Sequence, residues 1–224
     1  MQDKRITIFA GHYGSGKTTL AVNYALSLAQ RTNRVVLCDL DIVNPYFRTA
    51  DHAALLQAGG VELISSPYAN SNVEMPWIPT AAQRILDDSA LCAVLDLGGD
   101  DSGAMALGRY APQLRQNEVE FMLVVNLCRP LTRDAASLRV TRSAIESAAK
   151  LRFTGIVNST NLGEATAADT VLQSLPTVRA LAKALGLPVA LTVVRRELAQ
   201  SVQLSPADGA LFPVTCFQQG KWAI

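Results

Sequence analysis

The residues with the clearest chemical purpose lie near the start of the chain. Gly11-His12-Tyr13-Gly14-Ser15-Gly16-Lys17-Thr18 satisfies the pattern G-x-x-x-x-G-K-[ST] in full. Glycines at this spacing let successive backbone N–H groups turn inward around phosphate oxygens, and a helix beginning at the last residues adds the positive end of its dipole. Lys17 is placed to neutralise charge on β- and γ-phosphates, and the Thr18 hydroxyl to ligate Mg²⁺. The run from Gly11 to Thr19 is therefore a candidate phosphate cradle. An apolar strand before it and an amphipathic segment after it supply the context the motif needs.

Two acidic clusters are the next candidates. Val35-Val36-Leu37-Cys38-Asp39-Leu40-Asp41 closes one apolar run with two carboxylates, and Ala93-Val94-Leu95-Asp96-Leu97-Gly98-Gly99-Asp100-Asp101 closes another. In an open parallel sheet, ligands bind outside the carboxyl ends of the strands. Asp39 and Asp96 at two such ends could hold Mg²⁺ directly or through its waters, because this ion prefers oxygen ligands and keeps part of its hydration shell. Asp100 and Asp101 suit a solvated turn or a helix cap equally well.

These residues need strands and helices to position them. Strand-length apolar runs recur at Ile6–Ala10, Val35–Asp39, Val61–Ile64, Leu91–Leu97, Phe121–Leu127, Phe153–Asn158 and Val189–Val194. They are near-continuous rather than alternating, as expected of strands covered on both faces. Helical spacing marks Thr18–Gln30, Thr132–Ala149 and Val171–Leu185, the last stopped by Gly186 with Pro188 beyond. Alternation of this kind predicts an α/β, three-layer fold: a mostly parallel, doubly wound sheet with helices on both faces, residues 1–224 forming one domain. The least regular stretch, Ser65 to Thr80, reads as a long surface loop carrying Met75-Pro76-Trp77-Ile78. Trp77 tucked into the core is the competing reading.

Composition narrows the class. The chain has 224 residues, is 49% hydrophobic and carries a formal net charge of +1 without blocks of Lys or Arg, so no dedicated nucleic-acid surface is evident. Met1 to Arg5 leaves no room for a signal peptide before the first strand, and no apolar run reaches the length of a membrane span. Cys38, Cys92, Cys128 and Cys216 are scattered without a C-x-x-C pair, which suits buried thiols in a cytoplasmic protein better than a disulfide or zinc framework. The tail from Cys216 to Ile224 is too short, and too interrupted by Gly220, for a membrane-binding helix.

Taken together, Gly11 to Thr19, Asp39-Leu40-Asp41-Ile42-Val43-Asn44-Pro45 and Asp96-Leu97-Gly98-Gly99 resemble the MinD/ParA/CobQ-type P-loop ATPases, over about Ile6 to Val194. The usual loop there is K-G-G-x-G-K-[ST]-T, whose first Lys reaches the phosphates of a partner subunit in an ATP-bound dimer. Lys17, Thr18 and Thr19 fit it, but His12 and Tyr13 stand where Lys-Gly is expected. A neutral imidazole lacks the permanent charge of an ammonium; His12 is either a phosphate partner when protonated or a plain loop residue. The resemblance implies Mg²⁺-side roles for Thr18, Asp39 and Asp96. It gives Asp41 the task of positioning the attacking water, beside the catalytic Lys17, with a homodimer or protein partner reading the nucleotide state. Arg48 and Arg129 are candidates to add transition-state charge, or ordinary surface arginines.

The loop also resembles that of nickel-metallochaperone GTPases, which end a late strand with N-K-x-D. Here that strand ends Val157-Asn158-Ser159-Thr160-Asn161. An amide cannot accept both guanine donors as a carboxylate does. The expectation is ATP rather than GTP, with Asn158 facing the N6 and N7 edge of adenine and Asn161 close by, unless both merely shape a turn. With only His12 and His52, and no Cys/His cluster, the metal-carrying side of that likeness has no support. Three functions compete: an ATPase switch, an ATP-using ligase or kinase for a small metabolite with a pocket near Arg48, Tyr68 and Arg129, and a scaffold that binds ATP with little turnover.

Overall fold

The computed structural model describes residues 4–40, 49–65, 80–98 and 101–217. Its strands are β1 (Ile6–Ala10), β2 (Val35–Leu40), β3 (Val61–Ile64), β4 (Cys92–Leu97), β5 (Val119–Val125), β6 (Gly155–Asn158), β7 (Val189–Arg195) and β8 (Ala210–Val214). The helices are α1 (Lys17–Ala29), α2 (Ala53–Ala58), α3 (Thr80–Asp87), α4 (Asp101–Gly108), α5 (Ala111–Arg115), α6 (Ala135–Ala149) and α7 (Ala168–Leu185). One eight-stranded sheet runs in the order β3-β2-β4-β1-β5-β6-β7-β8, and every pairing is parallel. The expected architecture holds, with the sheet wholly rather than mostly parallel.

Strand alternation sorts the core into two layers. Ile6, Ile8 and Ala10 of β1 face a cluster closed by Ile85 of α3, Leu107 of α4, Leu114 of α5, Ile145 of α6 and Leu181 of α7. Phe9 faces the other layer, where Leu20, Val22 and Tyr24 of α1 and Leu56 of α2 meet Leu37, Val94 and Val124. Both sides of the central strands are thus covered, which explains their near-continuous apolar character.

Several boundaries differ from the periodicity, each for a local reason. α6 starts at Ala135 instead of Thr132, because Pro130–Thr132 forms a 3-10 turn and Asp134 caps the helix by accepting from the Ser137 N–H at 2.8 Å. β5 begins at Val119, where the charged Glu120 interrupts the apolar run, and stops at Val125. β6 begins only at Gly155, since Phe153 packs back against Phe121 with ring centroids 4.1 Å apart. β8 is absent from the expected strands; it is short, half-exposed at the sheet edge and contains Pro213, which an edge strand tolerates. Helices α2 to α5 run five to eight residues, which offers only about one or two turns of a 3.6-residue rhythm to read. Of the segment read as a long loop, 66–79 lies outside the described residues, Trp77 included, and Thr80 opens α3.

Candidate functional site

The sheet reverses its winding direction around β1, and the loop after β1 therefore opens at the crevice where an open α/β sheet binds ligands. Gly11 leaves β1 at φ +150°, and a Cβ there would lie 2.4 Å from the Val124 carbonyl oxygen of β5. Gly16 is the N-cap of α1 at φ +89°, and a Cβ on it would meet Ser159 Oγ at 2.9 Å. Side chains are excluded at both hinges of the loop, so its backbone can close tightly enough to face an anion. Inside, the Ser15 N–H donates to the His12 carbonyl at 3.2 Å. Ser15 Oγ is fully buried and has no hydrogen-bond partner among the described residues. A buried hydroxyl left in that state, in a cradle closed by glycines, fits a bound oxyanion.

Lys17, the first residue of α1, is 5% exposed, and its ammonium donates to the His12 carbonyl at 3.3 Å. Thr18 and Thr19 follow in the first turn, half-buried. No acidic residue of α1 competes there for the positive end of the helix dipole. His12 turns its Nδ1 to the Tyr13 carbonyl at 2.9 Å, and Tyr13 is exposed.

Asp39 and Asp96 are directly opposed in the β2–β4 register near the carboxyl ends of both strands. Each lies two residues beyond a member of the α1-side cluster, Leu37 and Val94 respectively, so both carboxylates face the layer that holds α1 and its loop. Both are buried, and the Thr49 hydroxyl donates to Asp96 Oδ2 at 3.1 Å. Thr18, Asp39 and Asp96 would offer a hydroxyl and two carboxylates, a donor set suited to Mg²⁺, which takes few protein ligands and completes its shell with water and phosphate oxygens. Among the described residues no group of three or more His, Cys, Asp or Glu is placed to hold a metal ion. Asp41 and Arg48 lie outside the described residues, as do Tyr68, Gly99 and Asp100; Asp101 opens α4.

Asn158 departs from the role expected of it. It is fully buried; its Nδ2 donates to Ser174 Oγ at 2.9 Å, and its Oδ1 accepts from the Thr160 N–H at 3.1 Å and the Thr160 hydroxyl at 2.7 Å. One end of the amide is thus engaged by Ser174 of α7 and the other by the turn after β6, inside the fold rather than at its surface. Asn161 likewise donates to the Ser159 carbonyl at 2.7 Å and accepts from the Gly163 N–H at 3.1 Å. Ser159 and Asn161 of this turn abut Gly16 and so form a wall of the loop. The residue that sequence reasoning missed is Asn126, fully buried at the end of β5. Its Oδ1 accepts from the N–H groups of Cys128 at 2.9 Å and Asn161 at 3.2 Å, joining the turns after β5 and β6. An asparagine followed by no motif carries no sequence signal of that role, and neither does Thr49.

A parallel sheet wound about a glycine-hinged loop, with a buried lysine and two strand-end carboxylates beside it, defines a P-loop nucleotide-binding domain. Residues 6–184 match the CobQ/CobB/MinD/ParA nucleotide binding domain, and the chain belongs to that family. The His12-Tyr13 pair marks it as a member without the signature lysine. No curated protein matches the chain in sequence. Among solved structures it is similar to the cell division protein FtsY from Thermotoga maritima, at 18% identity over 84% of this chain and 61% of that one, with a TM-score of 0.52. It is also similar to FtsY from Mycoplasma mycoides, at 16% identity over 86% and 61% of the two chains with a TM-score of 0.52. For chloroplast FtsY from Physcomitrella patens the figures are 14%, 97% and 63%, with a TM-score of 0.50. The chain spans 61–63% of the length of these structures, and at such identities the likeness concerns the fold. None of the described helices is long and apolar enough to cross a membrane.

Proposed function

We propose that this chain binds ATP with Mg²⁺ at the Gly11–Thr19 loop and hydrolyses it, its nucleotide state being read by a protein partner or a second copy of the chain. The observation that carries the reading is the in-register pair Asp39 and Asp96, facing the layer of α1 beside a loop whose lysine is buried. Phosphoanhydride hydrolysis needs charge neutralisation and an in-line water more than covalent chemistry. Lys17 supplies the first. Asp41, the residue after the last residue of β2, is suited to orient the water at that strand end. Bound Mg²⁺ would add Lewis-acid charge neutralisation, held from Thr18, Asp39 and Asp96.

Coupling to a switch has a physical basis. A Cβ on Gly103 of α4 would lie 2.8 Å from the Leu40 carbonyl oxygen and 3.3 Å from the Gly98 nitrogen. The chain leaving β2 and the chain leaving β4 therefore meet at the start of α4, and ordering one by the γ-phosphate bears on the other. The absence of N-K-x-D after β6 supports ATP over GTP, while the Asn158 amide is engaged by Ser174 and Thr160. One sheet joining all eight strands supports treating 1–224 as a single domain.

Isothermal titration of the whole chain with ATP and GTP, with and without Mg²⁺, tests the ligand, and phosphate release tests turnover. The expected result is Mg²⁺-dependent ATP hydrolysis that is lost in Asp41→Ala while ATP binding persists. Equal turnover in the two proteins overturns the role of Asp41, and GTP bound more tightly than ATP overturns the choice of base.

A further inference from the structure

Beyond Lys17, another cation touches the phosphate loop. Arg129, in the turn after β5, donates from Nε to the Gly14 carbonyl at 3.2 Å. A Cβ on Gly14 would lie 3.1 Å from Arg129 Nε and 3.3 Å from its Cζ, so the guanidinium lies against the glycine face of the loop. Its Nη groups have no hydrogen-bond partner among the described residues, and it forms no ion pair among them. The neighbouring Arg133 differs: its guanidinium is committed to the carbonyls of Leu127 at 3.0 Å and Cys128 at 3.5 Å.

The turn that carries Arg129 is rigidly built. The Arg129 N–H donates to the Asn126 carbonyl at 2.9 Å, and the buried Thr132 hydroxyl donates to the carbonyls of Asn126 and Arg129. Asn126 Nδ2 also reaches the Asn161 carbonyl at 3.2 Å, fixing this turn to the one beside Gly16. A long, exposed side chain is thus rooted in a buried framework and aimed at the loop. Lys17 and Arg129 grip the same crest, one at the His12 carbonyl and the other at the Gly14 carbonyl. A P-loop lysine marks the β–γ end of a nucleotide. The arginine fork meets the loop two residues beyond the carbonyl that this lysine reaches.

We propose that Arg129 binds the outermost phosphates of the nucleoside triphosphate from within the same chain, Nε holding the loop and the Nη groups donating to phosphate oxygens. This rests on the reading of the loop as the ATP site. It gives that site a second permanent cation in cis, where His12 offers none. Guanidinium suits the task because its planar fork can serve the carbonyl and the phosphate at once.

The test is titration of the intact wild type, Arg129→Gln and Arg129→Lys with Mg²⁺ and either ATP or ADP, beside apo melting curves. Gln can keep the neutral bond to Gly14 but brings no charge. Arg129→Gln should weaken ATP about 10- to 100-fold, the span of one charge-assisted hydrogen bond, and ADP distinctly less. Arg129→Lys should fall between, and melting should be unchanged. Equal losses for ATP and ADP would reduce Arg129 to a brace of the loop, and unchanged affinities would reduce it to a surface arginine; either overturns the proposal. A wild type that binds neither nucleotide overturns the ATP reading itself, and with it this one.

Discussion

Gly11 shows how narrow the tolerance is at single positions of the loop. Its φ of +150° and the Val124 carbonyl oxygen 2.4 Å from a would-be Cβ leave no room for alanine without moving β5. Gly11→Ala should cost about 1–3 kcal/mol of stability in denaturant unfolding, the range for overpacking or backbone strain. Lys17→Ala is expected to leave the melting temperature nearly unchanged but to abolish measurable ATP binding in a titration, since the proposed site relies on this ammonium, held at the loop by the His12 carbonyl, to neutralise phosphate charge. Glu146 offers a pH-dependent test. Burial alone would push its carboxyl up, but the Arg152 guanidinium, the Phe153 N–H and Arg142 outweigh that and hold it below the usual carboxylate range. A carboxyl lowered in the folded state stabilises above its unfolded titration, near about pH 4.3, and that contribution goes as pH falls through the lower folded value. Glu146→Gln should therefore cost about 1–3 kcal/mol at neutral pH, discounted because Arg152 is exposed. The difference from wild type should close in acid, as read by urea unfolding at several pH values.

At the scale of elements, the helices on the face opposite α1 owe their place to close backbone approach. A Cβ on Gly108, the last residue of α4, would lie 2.3 Å from the Ala148 carbonyl oxygen of α6. Gly108→Ala should force the two helices apart and lower the melting temperature by several degrees, while ATP affinity changes little because the loop sits elsewhere on the sheet. Unchanged melting would mean that α4 shifts freely. That outcome would also weaken the switch, which needs α4 seated against Leu40 through Gly103.

For the whole molecule, the edge of the sheet is tied back to the helix of the phosphate loop. Asn23 of α1 donates from Nδ2 to the carbonyls of Thr19 at 2.8 Å and Thr215 at 3.0 Å, and accepts from the Thr215 N–H at 2.8 Å. The chain leaving β8 thus crosses α1, and Phe217 meets His52 beyond it with ring centroids 5.9 Å apart. Asn23→Ala leaves the Thr215 amide groups without these bonds and should cost about 1–3 kcal/mol, measured by thermal unfolding. Saturating Mg²⁺ and ATP should raise stability by about 2.7 kcal/mol at a hundredfold excess over Kd, in wild type and Asn23→Ala alike.

What the sequence determined by itself is local and periodic. The Gly11–Thr18 spacing, the apolar strands and the acidic strand ends are all written in neighbouring residues, and they suffice for a parallel α/β fold with a P-loop and for Asp39 and Asp96 near the carboxyl ends of two strands. Short elements escaped because α2 to α5 and β8 run only five to eight residues, about one or two turns or a single short strand of pattern. Only the tertiary structure decided what the asparagines do. Asn158 looks free to read a base until Ser174, sixteen residues on, and Thr160 are seen to take both ends of its amide. Arg129, one of two candidate arginines in the sequence, is set apart by its bond to Gly14, 115 residues away. Hydrogen bonds between distant segments depend on which turns the sheet order brings together, and the order β4-β1-β5-β6 is what places four strand ends around one loop.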